Sequence, residues 1–315
     1  MNATAREDQM TEVNAASARD QAGLKNQATL FLNDEFFDSA VYGALADIEQ
    51  QGERKKLLRT LAATERDHYV FWKEIAGEEA RPPSRLKVRL LTLMRRIAGL
   101  TFTMKFLELH EGEVVAHYKR WLPMLSDERQ KRLDVILKDE EEHERYLMSQ
   151  VDEAIVRYIG FVALGLSDAI IEITGVHAGF LGVMGSTLVA GIAGVVVGFA
   201  ACISMGVAAY LKAKSETRKS PLKSALITSA SYLAAVVLLA MPYFLTGSMA
   251  IAFTTSTLVA VLMSMGFTFY VSVVNETRLG RELIENTTLL LGTAVATYFF
   301  GELIGSIFGV RGIMG

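Results

Sequence analysis

Apolar and polar positions are distributed very differently in the two halves of the chain. Residues 24–157 mix charged and apolar positions at helical spacing, with few glycines and one break at residues 81–84. Residues 186–211 and 224–275, in contrast, contain no charged residue at all. Because about 20 apolar residues cross the hydrocarbon core as a helix, the pattern predicts an all-α protein with a polar helical half and a membrane half.

The apolar half is long enough for five membrane-spanning helices. We expect the first at residues 158–182, the second at 186–211 and the fifth at 286–310. Residues 224–275 hold two more, separated by a turn at residues 246–248. A buried core of a soluble protein is the alternative, but it does not account for so long an uncharged run. The second span is rich in small residues that favour close helix packing, namely Gly191, Gly194, Gly198 and Gly206.

Basic residues predict the orientation of these spans. Residues 212–223 and 276–285, which follow the second and fourth spans, contain Lys and Arg, whereas the opposite loops near residues 183–186 and 246–248 contain neither. Basic loops stay on the cytosolic side. The polar half is therefore expected in the cytosol and the C-terminus outside.

Composition further limits the domain organisation and the kinds of site that the chain can form. Most of the 32 Lys and Arg and 35 Asp and Glu residues precede residue 158. Residues 1–23 are polar, without a signal-peptide pattern, and are interpreted as a flexible lead. The predicted domains are then a four-helix bundle at 24–157 and a five-span domain at 158–315. The one cysteine, Cys202, excludes an internal disulfide and a multi-cysteine zinc site, and is interpreted as a small packing residue.

The polar half contains one motif twice. Each copy reads Glu-x-x-x-x-Ala-x-Tyr and is followed, at nearly the same distance, by Glu-x-x-His. The first copy comprises Glu35, Tyr42, Glu65 and His68, and the second comprises Glu111, Tyr118, Glu140 and His143. One Glu-x-x-His pair is typical of a solvated helix face, but two matched copies indicate a shared site.

The chemistry of a two-metal site requires this spacing. Glu and His three residues apart lie on one face of a helix, and two such pairs plus two more Glu make the ligand set of two-metal helix bundles. We therefore expect two iron ions, with manganese or zinc as alternatives. The predicted ligands are Glu35, Glu65, His68, Glu111, Glu140 and His143, with Glu108 as an additional donor and Tyr42 and Tyr118 as hydrogen-bonding neighbours of the carboxylates.

On these motifs, residues 24–157 resemble the rubrerythrin-type ferritin-like superfamily. That resemblance implies a di-iron bundle. The chain lacks the paired-cysteine iron domain of many rubrerythrins, so electron exchange through such a centre is not implied.

A basic amphipathic helix is predicted at about residues 85–99, between the two copies of the motif. Leu86, Leu90, Leu93, Met94 and Ile97 form one stripe, with basic residues beside it. Such a helix can lie on an anionic membrane surface, or it can pack on the bundle. The membrane is the favoured interpretation, because the spans begin nearby.

The membrane half carries candidate transport residues. Asp168 and Glu172 share a face of the first span, and acids inside a membrane usually have a function. Met205 in the second span offers a thioether that suits a reduced metal. Glu302 in the fifth span is either a proton carrier or an interhelix hydrogen-bonding partner.

Gly165-Leu166-Ser167-Asp168, Ser204-Met205-Gly206 and the Pro-Leu pair at residues 221–222 resemble the vacuolar iron transporter family. The resemblance implies a dimeric exchanger of Fe²⁺ for protons, with Asp168 and Met205 in the pathway. Two departures exist: the family's Glu-rich insert after the second span is replaced by a basic loop, and Ala209 stands where the family has Glu. With the bundle, the whole chain resembles bacterial membrane-bound ferritins, which implies iron export across an inner membrane.

Three functions remain in competition. The first is metal transport, with Fe²⁺ and protons as partners. The second is a membrane-anchored di-iron ferroxidase or peroxidase. The third is a transporter gated by a metal-sensing bundle. A homodimer in a lipid bilayer is expected, without a nucleic-acid partner.

Overall fold

The computed structural model describes the backbone of residues 3–109, 123, 125–150, 154–183, 186–216 and 219–309, and the side chains of most of these from residue 23 onwards. The described residues form helices and contain no strand, which confirms the all-α class. The chain divides into two compact units, Met1–Asp152 and Glu153–Gly315, called here the N-terminal and C-terminal units. The finer domain limits proposed from the sequence stay predictions.

The N-terminal unit contains five described helices: α1 (Ala3–Ile48), α2 (Gly52–Ala76), α3 (Arg85–Ala98), α4 (Leu100–Glu108) and α5 (Asp127–Gln150). α1 begins at Ala3, within the predicted lead at residues 1–23, whose flexibility stays a prediction. Its alanine, glutamate and glutamine residues favour a helical backbone. Gly77 follows the end of α2, and its left-handed conformation (φ 69°, ψ 23°) lets its N–H donate to the Lys73 carbonyl.

Two apolar clusters fill the core between α1 and α2. The first includes Phe31, Leu32, Trp72 and Leu133, and joins α5 to these helices. The second includes Val41, Leu45, Leu58, Leu91 and Leu100, and joins α3 and α4 to them. Along both α1 and α2, the middle section between the two clusters carries buried polar residues.

The C-terminal unit consists of α6 (Ala154–Val183), α7 (Thr187–Lys214), α8 (Pro221–Leu245), α9 (Met249–Asn275) and α10 (Leu279–Phe308). Each contains a segment long and apolar enough to cross a membrane, in agreement with the five predicted spans. α6 contacts all four other helices. Many large apolar side chains on α7, α9 and α10 are exposed, as lipid-facing side chains are.

Glycines allow the close approach of these helices. The four glycines noted in the second span are all buried in α7. A Cβ on Gly198 would lie 2.6 Å from Val236 Cγ1 of α8, and one on Gly182 would lie 2.6 Å from the Tyr298 carbonyl of α10. Backbone contact through small residues is the packing that membrane helices favour.

Candidate metal centre

Three helices bring four of the predicted metal ligands together. α1 supplies Glu35, α2 supplies Glu65 and His68, and α5 supplies Glu140. One ligand atom from each residue lies within 4.8 Å of the others. These residues are only 2–9 % exposed: Glu35 5 %, Glu65 3 %, His68 2 % and Glu140 9 %. The cluster is therefore shielded from bulk water.

The His68 ring lies at the middle of this cluster. Its Nδ1 is 3.0 Å from Glu140 Oε1, 3.3 Å from Glu65 Oε2 and 3.7 Å from Glu35 Oε2. Its Nε2 is 3.7 Å from Asp139 Oδ2. Glu65 and His68 share a face of α2 because they are three residues apart.

Burial controls the protonation of the carboxylates. It raises the pKa of Glu65 well above the usual value, and the charges of Glu35 and Glu140 add to this against the opposing hydrogen bond with His68. Burial raises the pKa of Glu140 in the same way. For His68, burial alone would lower the pKa, but the hydrogen bonds to Glu140, Glu35 and Glu65 outweigh it and raise the pKa. The cluster therefore retains protons that an entering cation would displace.

The donor set fits a transition-metal ion. Carboxylate oxygens and a neutral imidazole are ligands that iron, manganese and zinc share. Closely spaced carboxylates in a region of low dielectric repel one another, and a bound cation offsets both this repulsion and the loss of hydration. Glu35, Glu65, His68 and Glu140 could thus hold a metal ion.

Several predicted site residues lie outside the described part of the molecule. Glu111 and Tyr118 belong to this group, as do the side chains of Glu108 in α4 and His143 in α5. Tyr42 is buried in the apolar cluster that contains Leu45 and Leu58. The roles of all these residues stay predictions.

Two carboxylates beside the cluster were missed in the sequence. Asp38 lies three residues after Glu35, and burial raises its pKa well above the usual value, with the charges of Glu35, Asp34 and Glu140 adding to the effect. Its spacing from Glu35 was a usable signal. The repeat hides it, because Val114 occupies the matching position of the second copy. The other carboxylate, Asp139, approaches His68 only through the packing of α5.

Comparison with known proteins assigns no family to this arrangement. No family model matches the chain, and neither a curated protein nor a solved structure is significantly similar to it. The functional argument therefore depends on the residues themselves.

Three of the four candidate transport residues of the C-terminal unit, Asp168, Glu172 and Met205, lie where α6, α7 and α8 pack together. Asp168 and Glu172 are half-buried on α6. The hydroxyl of Tyr232, a fully buried residue of α8, donates a hydrogen bond to Glu172 Oε2. Met205 of α7 packs against the same apolar cluster as Tyr232. Sequence reasoning did not find Tyr232, since the contact spans 60 positions.

Cys202 has the packing role expected from its sequence context. It is buried in α7, and its thiol donates to the Ser229 carbonyl of α8 at 3.3 Å. The Ser229 hydroxyl donates in return to the Cys202 carbonyl at 3.0 Å. This reciprocal pair joins α7 to α8 beside Met205.

Glu302 and His177 lie away from that position. Glu302 is exposed on α10, and its backbone lies against Gly182 near the end of α6. His177 is fully buried, with its ring 4.0 Å from that of Tyr243, and packs against Gly194. Among the described side chains, the structure therefore groups Glu172 with Tyr232 and does not bring Glu302 to them.

Proposed function

We propose that this chain is a membrane transporter of ferrous iron, with manganese as the alternative cation. The observation that carries the proposal is the convergence of Glu35, Glu65, His68 and Glu140 in a chain that also has five helices able to cross a membrane. The N-terminal unit captures the ion in the cytosol, and the C-terminal unit moves it.

In the N-terminal unit, the four converging residues would hold one ion, and Glu111 and His143 of the second motif copy would complete a site for two. A bound iron ion would also supply redox chemistry. The protein's own contribution is to exclude water and to release protons from Glu65, Glu140 and His68 as the cation enters.

In the C-terminal unit, Asp168, Glu172 and Met205 form the proposed path. The carboxylates exchange a metal ion for protons, which couples metal movement to a proton gradient. Met205 favours a reduced transition metal over calcium or magnesium. The Tyr232 hydroxyl donates a hydrogen bond to Glu172 Oε2 and so orients this carboxylate.

The direction and the assembly are proposed from the motifs. The resemblance of the sequence motifs to those of vacuolar iron transporters and membrane-bound ferritins is the ground for proposing export from the cytosol across a bacterial-type inner membrane. The basic loops support a cytosolic N-terminal unit. A homodimer would pair two sets of acids, since five spans are few to enclose a polar path.

Reconstitution tests the proposal directly. Purified protein in vesicles, supplied with Fe²⁺ under anaerobic conditions, should move the metal while a trapped pH dye records opposite proton movement. Asp168→Ala should abolish both signals. Absence of metal flux in the wild type, or normal flux in Asp168→Ala, would contradict the proposal.

Catalysis is the second candidate, because buried carboxylates with a histidine are also the donor set of oxygen-reactive iron centres. Peroxide or oxygen consumption that is lost in Glu65→Ala, without metal flux in the wild type, would select an enzyme. Metal flux that persists in Glu65→Ala but no longer responds to cytosolic metal would instead select a sensing gate.

A further inference from the structure

Helix α3 presents apolar side chains on two different faces. Leu91 is buried, and Val88 and Met94 pack beside it against the cluster shared with α1 and α4. Four other apolar side chains are exposed, here called the outer stripe: Leu86 67 %, Leu90 55 %, Leu93 50 % and Ile97 78 %. Packing on the N-terminal unit therefore accounts for only one of the two faces.

The outer stripe is continuous. Its members follow one another at steps of four, three and four residues, so they lie within one narrow arc of the helix. Single exposed apolar residues are ordinary, but a contiguous row of four large ones marks an interaction surface.

The charges beside the stripe indicate an anionic partner. α3 contains no acidic residue. Exposed Arg85, Arg89 and Arg96 lie along one side of the stripe, and exposed Lys87 lies on the other. An apolar stripe flanked by cations matches the boundary between anionic headgroups and acyl chains.

The inner face of α3 is fixed, so the stripe is held outward. Arg95 donates a hydrogen bond to Glu49 Oε2 at 2.5 Å. Glu49 is 4 % exposed, and its other oxygen accepts the N–H groups of Gln50 and Gln51 at 2.8 and 3.0 Å. Since this buried ion pair joins α3 to the end of α1, turning the stripe inward would break it.

We propose that the outer stripe of α3 docks on the surface of a bilayer that contains anionic lipid. Only residues 151–153 separate α5 from α6, so the N-terminal unit is tethered to the bilayer that α6 enters. The inference needs the C-terminal unit to be in a membrane but does not depend on metal transport. A failed transport assay would therefore leave it intact.

Spin labels on the full-length protein test the docking. In a Cys202→Ser background, which keeps a hydroxyl donor for Ser229, one label is placed at Leu93→Cys. The matched control is Val135→Cys, because Val135 is also an exposed apolar residue, 56 % exposed, but belongs to α5. Both proteins are reconstituted in vesicles of phosphatidylcholine alone and of phosphatidylcholine with phosphatidylglycerol.

With phosphatidylglycerol present, the label at position 93 should become accessible to oxygen and protected from a water-soluble nickel complex, while the label at position 135 should not. Replacing Arg85, Arg89 and Arg96 by Gln should lower the docked-to-free ratio roughly fivefold per cation. High salt should have the same effect without any substitution.

Two results would overturn the proposal. In the first, positions 93 and 135 are equally accessible to the nickel complex in vesicles with phosphatidylglycerol. In the second, labels at position 93 broaden one another's spectra in both lipid mixtures, which would show that a second copy of the chain covers the stripe.

Discussion

The acids of the two units differ in how completely the protein encloses them. In the N-terminal unit, Glu35, Glu65 and Glu140 converge on His68 between two apolar clusters. In the C-terminal unit, the acids of α6 are half-buried, and Tyr232 is the hydrogen-bonding partner described for Glu172. A closed set of donors is suited to holding a cation, whereas a half-buried pair is suited to binding and releasing one.

The largest effect expected from this contrast is the loss of metal binding in Glu65→Ala. Glu65 supplies one of four converging donors, and its removal leaves His68 and two carboxylates around a cavity. We expect affinity for Fe²⁺ or Mn²⁺ to fall by at least about 100-fold, more than the 10–100-fold typical for loss of an outer hydrogen-bonding partner. Elemental analysis and anaerobic titration calorimetry of the full-length protein measure it.

Glu53→Ala is the matched control, because Glu53 is an exposed glutamate of the same helix. It should bind metal as the wild type does. Equal metal content in Glu65→Ala and Glu53→Ala would contradict the assignment of the N-terminal cluster as a metal site. The cluster would then be an ordinary group of buried acids.

The second-largest expected effect distinguishes metal movement by the C-terminal unit from metal binding by the N-terminal unit. Asp168→Asn should lower metal flux in vesicles roughly 10–100-fold, because it removes a charge from the proposed path, where the dielectric is reduced and one ion pair is worth a few kcal/mol. Metal bound by the N-terminal unit should not change. Glu302→Gln serves as the comparison: Glu302 is exposed, so its neutralisation should reduce flux less. An equal loss of flux in both variants would show that the burial of an acid does not decide whether it takes part in transport.

The features predicted correctly from the sequence are those that local chemistry determines. Five helices able to cross a membrane follow from hydropathy, which needs no knowledge of contacts. Glu65 and His68 face the same way because of helix geometry alone. The exposed Leu86, Leu90, Leu93 and Ile97 also form a stripe through their spacing, whatever they contact.

The features that were missed depend on packing between distant segments. The Tyr232 hydroxyl reaches Glu172 only because α8 packs on α6 with one particular face. The spacing of residues along the sequence does not determine which face that is. Asp139 approaches His68 through the position of α5. Met94 was placed on the stripe of α3, yet it packs with Leu91 on the inner face, because a wide apolar arc does not reveal which edge a neighbour covers.

A smaller effect concerns the pH dependence of the metal-free cluster. The pKa values of Glu65, Glu140 and His68 are raised in the folded state, so the folded protein binds more protons than the unfolded chain. The free energy of unfolding of the N-terminal unit should therefore fall as pH rises above about 4.5, where unfolded glutamates have ionised. The contribution is fully present below that pH.

Hydrogen exchange of α2 amides, measured at several pH values after correction for intrinsic rates, reports this local stability. Protection should decline with pH in the metal-free protein, and saturating Mn²⁺ should remove the decline. The pKa of Glu49 is shifted in the opposite direction: despite its burial, the hydrogen bonds from Gln51 and Arg95 lower it. The contribution of Glu49 to the free energy of unfolding is therefore lost only at acidic pH. Protection that rises from pH 5 to pH 8 without metal would contradict the assigned protonation of the cluster.

The smallest effect tests whether the restraint on Glu172 matters for function. Tyr232→Phe removes only the hydroxyl that donates to Glu172, and the ring still fills the apolar cluster with Ile173 and Val236. One hydrogen bond contributes about 1 kcal/mol, so metal flux should change roughly fivefold and the midpoint of thermal unfolding should fall by only a few degrees. Flux measured across a range of metal concentrations distinguishes weaker binding from slower turnover. If Tyr232→Phe transports as the wild type does while Glu172→Gln does not, Glu172 works without a fixed orientation, and the contrast with the enclosed N-terminal cluster becomes stronger. If Tyr232→Phe abolishes flux altogether, Glu172 depends on its hydrogen bond from Tyr232 as strictly as the N-terminal cluster depends on its convergence.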